Sequence, residues 1–130
     1  MAQTPVTLKV KDFKDREVMS VKYAFNQATD IEGQMAGIPR GGFITIKVKA
    51  MNDGNNELFG WMVDPTMHKD GSIAFLNTID NQKMKDIEFK TAYCIDFSET
   101  WEEGTGHSEE ITISCKSIKN GQVTYESKWA

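Results

Sequence analysis

DIEFKTAYCIDFSE, Asp86–Glu99, places apolar or aromatic side chains at Ile87, Phe89, Tyr93, Ile95 and Phe97. A two-residue period is that of a strand with one buried face. At about 3.3 Å per residue the stretch would extend roughly 45 Å, whereas an ordinary strand has about six residues. A strand this long has to bend, usually at a bulge, and can then serve two sheets. Thr91-Ala92, the weakest part of the apolar face, is the expected bend. The stretch therefore predicts an antiparallel, mostly β fold: a barrel, or two packed sheets, built around one long bent strand.

Working outward, the neighbouring segments supply its partners. Val6, Leu8 and Val10 alternate with Thr7, Lys9 and Lys11, and KDFKDRE reads as a charged turn. Met19, Val21, Tyr23 and Phe25 form the apolar face of a second strand, and Ile44, Ile46 and Val48 that of a third. The period then changes. Leu58, Trp61 and Met62 stand at i, i+3 and i+4, the stripe of a short helix. Asn55 or Asn56 can cap it, Glu57 suits its first turn, and Pro65 stops it. A fourth strand is predicted over about 72–78 and another over about 110–118, with ETWEEGTGHSEE as an acidic loop before the latter. Asn120-Gly121 is a strong hairpin signal ahead of a last short strand, VTYESKW. The sum is six or seven antiparallel strands with one short helix between the third and fourth, in a single domain spanning residues 1–130.

Strand parity also bears on the two cysteines. The apolar face of the long strand falls on odd positions, so Cys94 is expected on the other side, while Cys115 shares the face of Ile111 and Ile113. Without a bulge the thiols point apart, which disfavours a disulfide. Free thiols fit folding in a reducing cytoplasm. Cys115 reads as a small buried hydrophobe.

The bulk numbers narrow the function. The chain has 130 residues, 39% hydrophobic and 26% charged, with a net charge of −4 and a pI near 5.2. The acidic balance, with cations spread along strands, argues against a nucleic-acid partner. Nothing reaches the length of a membrane-spanning helix, and MAQTPVTLKV has no apolar signal region. His68 and His107 are the only histidines. No HExxH or Cys-rich metal spacing, GxSxG elbow or P-loop is present. His107 among Glu102, Glu103, Glu109 and Glu110 reads as a solvated loop, the carboxylates of Asp80 and Asp86 read likewise as solvated, and Asp53-Gly54 and Asp70-Gly71 read as turn residues. No catalytic residue, cofactor or metal is expected.

NQATDIEGQMAGIPRGG, Asn26–Gly42, has no period, yet carries Ile31, Met35, Ile38 and Arg40. Loops of this length are usually functional or disordered. An apolar loop and an over-long strand both make sense if neighbouring copies cover the loop and the sheet lines something extended. Heterologous contacts that close make rings, and rings can stack. Ile31, Met35 and Ile38 are therefore candidate interface residues, and Arg40 reads either as an intersubunit contact beside them or as a loop-anchoring salt bridge.

The sequence resembles a known family. YAFNQATD, GIPRGGFITIKV, ELFGWMVDPTMHKDGSIAF and IEFKTAYCIDFSETWEEGTGHSEEITISCKSIKNGQVTYESKW follow, in order and spacing, the tube protein of type VI secretion (Hcp, or TssD), and within it the short branch found in Bacteroidota. The most specific pieces are Pro39-Arg40-Gly41-Gly42, the run from Trp61 and Met62 through Pro65-Thr66-Met67 to Lys69-Asp70-Gly71-Ser72-Ile73, and Ala92-Tyr93-Cys94. The resemblance implies a β-barrel flanked by a helix, hexameric rings stacked into a tube inside a contractile sheath, and contractile injection. The loop between the second and third strands would touch neighbouring subunits and rings. Effector cargo in the lumen, the spike protein, the sheath and the baseplate are the implied partners, with no membrane insertion. Assembly would be cytoplasmic, and secretion through the apparatus would need no signal peptide. A phage-tail-tube-like protein and a small-ligand-binding β-barrel are the alternative readings, and an enzyme is the weakest.

Overall fold

The computed structural model describes residues 6–25, 27, 29–34, 41–51, 53–76 and 83–127. The strands are β1 (Val6–Val10), β2 (Arg16–Tyr23), β3 (Phe43–Lys49), β4 (Lys69–Leu76), β5 (Lys83–Glu102), β6 (Gly106–Asn120) and β7 (Val123–Glu126); helix α1 (Glu57–Val63) lies between β3 and β4. All pairings are antiparallel. The order β3-β2-β1-β4-β5-β6 closes on itself because β6 also pairs with β3, while β7 adds to β6 outside the ring. One edge of β6 is shared: Ser108–Ser114 face β3, and Ser117–Asn120 face β7. The result is a closed antiparallel barrel with one short helix, as the alternation predicted.

The bend in β5 falls where the apolar face is weakest. Between Gly71↔Phe89 and Lys69↔Ala92, β4 advances two residues and β5 three. Thr91 takes up the extra residue at φ 50°, a left-handed conformation costly for a β-branched side chain. Its amide donates to Asp70 Oδ1 at 2.9 Å, which helps hold the kink. Gly71 opposite leaves room for it, since a Cβ there would come within 2.4 Å of the Lys9 carbonyl and 2.7 Å of the Phe89 ring.

The bulges overturn the simple parity of the sequence. The inward series of β5 is Ile87, Phe89, Ala92 and Cys94, with Phe97 partly buried against the core. A second irregularity, between Cys94↔Ile113 and Asp96↔Thr112, pushes Ile95 outward, where it is exposed. β6 changes phase with β5, from Ile111, Ile113 and Cys115 to Ile118. Cys94 and Cys115 therefore lie on the same, buried face, diagonally across the ladder, not on opposite faces. Both are free. The same logic corrects β2. A register shift between Val18 and Ser20 leaves Met19 exposed, and the inward residues are Arg16, Val18, Val21 and Tyr23. Arg16, read as part of a charged turn, instead begins the strand.

The other boundaries move outward. β4 begins at Lys69, before the predicted 72, and the predicted residues 77 and 78 lie outside the described ones. Most of the expected acidic loop is ladder: β5 runs to Glu102 and β6 starts at Gly106, paired by Trp101↔His107 and Glu102↔Gly106. Helix α1 buries Leu58 and Trp61, with Phe13 edge-on to Trp61 at 5.9 Å. Asn56 occupies the N-cap without a side-chain bond. Asn55 does the work from one residue earlier: its Oδ1 accepts from the Glu57 amide at 3.1 Å and its Nδ2 donates to Glu57 Oε1 at 2.8 Å. The core runs through the barrel interior, where Ile44, Ile46, Val48, Ile73, Ile113 and Cys115 are wholly inaccessible.

Candidate assembly surfaces

Open strand edges come first. β2 meets β1 only at Thr7↔Glu17 and Leu8↔Arg16, so among the described residues Val18–Tyr23 pair on one side alone, with β3. At the other side of the same sheet, β4 leaves β5 at Ala92, and among the described residues Cys94–Glu102 have strand partners in β6 alone. The four strands β2-β3-β6-β5 thus form a sheet with an unpaired edge at each side. Open edges are templates for another chain. Its outer face is mixed: Thr45 and Thr112 hydroxyls lie 3.1 Å apart across β3 and β6, while Phe43 and Ile95 stand exposed.

Large apolar side chains stand in solvent around this sheet: Met19, Phe43, Phe59, Val63, Ile95, Trp101 and Val123. Single exposed hydrophobes are ordinary; contact surface is marked by those that form a contiguous patch. Of the loop residues singled out in the sequence, Ile31 is described and is fully exposed. It sits on a tight turn: Asp30 Oδ1 accepts from the amides of Glu32 and Gln34, both at 2.9 Å, and the Gly33 amide bonds the Asp30 carbonyl at 3.0 Å. The turn presents Ile31 as a fixed knob. Met35, Ile38 and Arg40 lie outside the described residues, as does Asp80.

At one end of the barrel, Tyr23, Phe25, Ile118, Asn120, Val123 and Tyr125 line a mainly apolar cleft of about 500 Å³. Phe25 lies against Tyr125, ring centres 4.6 Å apart, and Asn120 Nδ2 donates to the Tyr23 hydroxyl at 2.7 Å. At the other end, Arg16 and Glu109 form an ion pair that is almost completely buried, and Arg16 also donates to the Lys49 carbonyl at 2.8 Å. The pair ties β2, β3 and β6 together. Glu109 is thereby removed from the acidic set around His107, whose ring meets Glu99 across the ladder instead.

The fold matches known proteins. The sequence profile of the family described as "Hemolysin coregulated protein Hcp (TssD)" covers residues 2–130. The chain belongs to that family. Hcp1 from Flavobacterium johnsoniae superposes with a TM-score of 0.87 at 31% identity, over 95% of this chain and 99% of that one. Hcp1 from Salmonella typhimurium (TM-score 0.78, 14% identity, 96% and 95% covered) and Hcp3 from Pseudomonas aeruginosa (0.63, 10%, 98% and 99%) share the fold. No curated protein sequence matches this chain. As an Hcp-family member it is a type VI secretion tube protein of barrel architecture. Among the described residues, no helix is long and apolar enough to cross a membrane.

Of the four residues that the sequence singles out in the Asn26–Gly42 loop the structure describes Ile31 alone, and the sequence does not mark Trp101, the cleft or the buried Arg16–Glu109 pair. Trp101 was absorbed into a solvated acidic loop, although a lone aromatic among carboxylates is itself a signal. The cleft has no linear signature, because it joins β2, β6 and β7. Arg16 looked like one charge in KDFKDRE; its distinguishing mark is a place two residues before Val18, in phase with the inward face.

Proposed function

We propose that copies of this chain join side by side into closed rings, hexameric as in the tube its family builds, and that the rings stack into the inner tube of a type VI secretion apparatus. The observation that carries this is the sheet β2-β3-β6-β5 with an unpaired edge at each side. Edge of β5 against edge of β2 is a heterologous contact, and repeated by rotation it closes a ring. The outer face of that sheet is then the wall of a water-filled lumen for effector cargo. The residues Ile31, Met35, Ile38 and Arg40 of the Asn26–Gly42 loop are assembly contacts to neighbouring subunits. Residues 1–130 act as one tube domain without an enzymatic role. Sheath, baseplate and spike are its partners in the machine, and the tube is assembled in the cytoplasm and expelled through the apparatus.

The packed barrel interior, filled by Ile44, Ile46, Ile73 and Ile113, gives no support to an interior ligand pocket. Negative-stain electron microscopy with mass by light scattering tests the tube reading. Open-centred rings of six copies are expected. A clean monomer at millimolar concentration would count against it.

A further inference from the structure

Partners across an antiparallel ladder point their side chains to the same face, so the registers of β2-β3-β6-β5 sort its outward residues into rows. Lys22↔Thr45, Thr45↔Thr112 and Asp96↔Thr112 make one row, Lys22–Thr45–Thr112–Asp96. The next is Ser20–Lys47–Glu110–Ser98. Beyond it Lys49, Ser108 and Thr100 line up, and Glu17 meets Lys49 at 3.2 Å.

The rows place their charges differently. Lys47 and Glu110 are cross-strand neighbours inside the sheet, and Glu17 and Lys49 already form a pair. The first row instead carries opposite charges at the two unpaired edges, Lys22 on β2 and Asp96 on β5, with two bonded threonine hydroxyls between them. Both residues are exposed. Among the described residues neither has an ion-pair partner in its own chain. Three strand spacings, about 14 Å, keep them apart within one copy. The sign of the β5 side is general: between Lys90 and Lys116 the β5–β6 hairpin holds six carboxylates and no Lys or Arg.

Two copies side by side remove that separation. β2 and β5 run in opposite directions, because each of the three ladders between them is antiparallel. The β5 edge of one copy beside the β2 edge of the next therefore continues the antiparallel pattern. Copies related by rotation stand at one height, so the rows can run on from copy to copy. A slip must be by two residues, since a slip of one turns every side chain to the other face. A slip of two sets Lys22 against Ser98 in one direction, and Asp96 against Ser20 in the other. The unslipped contact is the one that matches the charges.

We propose that Asp96 of one copy pairs with Lys22 of the next at every ring junction, and that this pair fixes the register in which the β5 and β2 edges meet. The proposal rests on the ring reading above. An exposed ion pair adds little binding energy. Its role is to select one register over its neighbours, because the slipped contacts leave both charges unmatched.

Two experiments separate them. In the first, Lys22→Asp and Asp96→Lys are compared, singly and together, with the unaltered chain by light scattering and sedimentation. Each single reversal sets like charges face to face at every junction and should raise the concentration for half-assembly at least about tenfold. The double reversal should bring it back to within about threefold of the unaltered chain. Both residues are exposed, so the unfolding midpoint should not move. Single reversals that assemble like the unaltered chain, or a double reversal no better than either single one, would overturn the proposal and leave the rings standing. In the second, Lys22→Cys and Asp96→Cys are combined in one chain under mild oxidation. The two new thiols are too far apart to bridge within a copy, and Cys94 and Cys115 are buried. A disulfide-linked ladder of copies ending at the closed ring is expected on a non-reducing gel, and none from either single variant. Its absence overturns the proposal whatever the oligomer. A ladder that runs on without a closed end would sustain the pair and overturn the ring reading.

Discussion

Cys94 and Cys115 are the residues whose chemistry the fold has most altered. Burial pushes the Cys94 thiol up to about 11 and the Cys115 thiol to about 12. The thiolate is the reactive form, so neither thiol should react with a disulfide reagent at pH 8 until the chain is unfolded. A fast native-state reaction, followed by absorbance, would refute the burial. The sign of the pH effect follows from the same shifts. Each folded pKa lies above the ordinary value of 9.0, so the folded form retains protons that the unfolded form releases. Stability from this source is intact below pH 9 and declines between pH 9 and 12, which denaturant titrations across that range will read. Arg16 and Glu109 have a different liability. With the two side chains only 3% and 4% exposed, Glu109→Ala strands a cation in the core and should cost about 3–5 kcal/mol. Joint replacement by Met and Leu should recover most of it. Equal losses in the single and double variants, by urea unfolding, would contradict the pairing.

β5 shows how much of the architecture the residues announce. Its length and its bend at Thr91-Ala92 follow from the spacing of Ile87, Phe89 and Phe97 and the weak centre between them. What the spacing could not convey is the number of bulges. Each adds one residue and inverts every side chain beyond it, so Cys94 turned inward and Ile95 outward against the simple count. Met19 in β2 was lost in the same way. A bulge is decided by what the partner strand does, which no single segment records. Thr91 provides a test. Thr91→Gly removes the Cβ that makes φ 50° unfavourable and should raise stability by up to about 1 kcal/mol. A lower unfolding midpoint would mean that the threonine side chain contributes more than it strains. In α1 the 3.6-residue stripe was read correctly at Leu58 and Trp61, and Leu58→Ala should cost about 2–5 kcal/mol, measured by the shift in denaturant midpoint.

For the whole molecule, the barrel was legible and the surfaces that make it an assembly unit were not. Closure by β3–β6 pairing follows from strand number and length; the sheet edges left over, the cleft and the Trp101 tip depend on which strands end first. Ile31, a candidate interface residue in the sequence, is fully exposed in the structure. Ile31→Asp should leave the unfolding midpoint within about 0.5 kcal/mol of the unaltered chain, as surface changes do, while weakening assembly in light scattering. A large stability loss would make it a fold residue instead. The long β5–β6 ladder, from Ile87↔Asn120 to Glu102↔Gly106, has a mechanical meaning as well. A thrust between the hairpin tip and the β7 end runs along these strands and loads their hydrogen bonds together, in shear. They cannot be peeled open one at a time, so a subunit struck from behind resists as a strut.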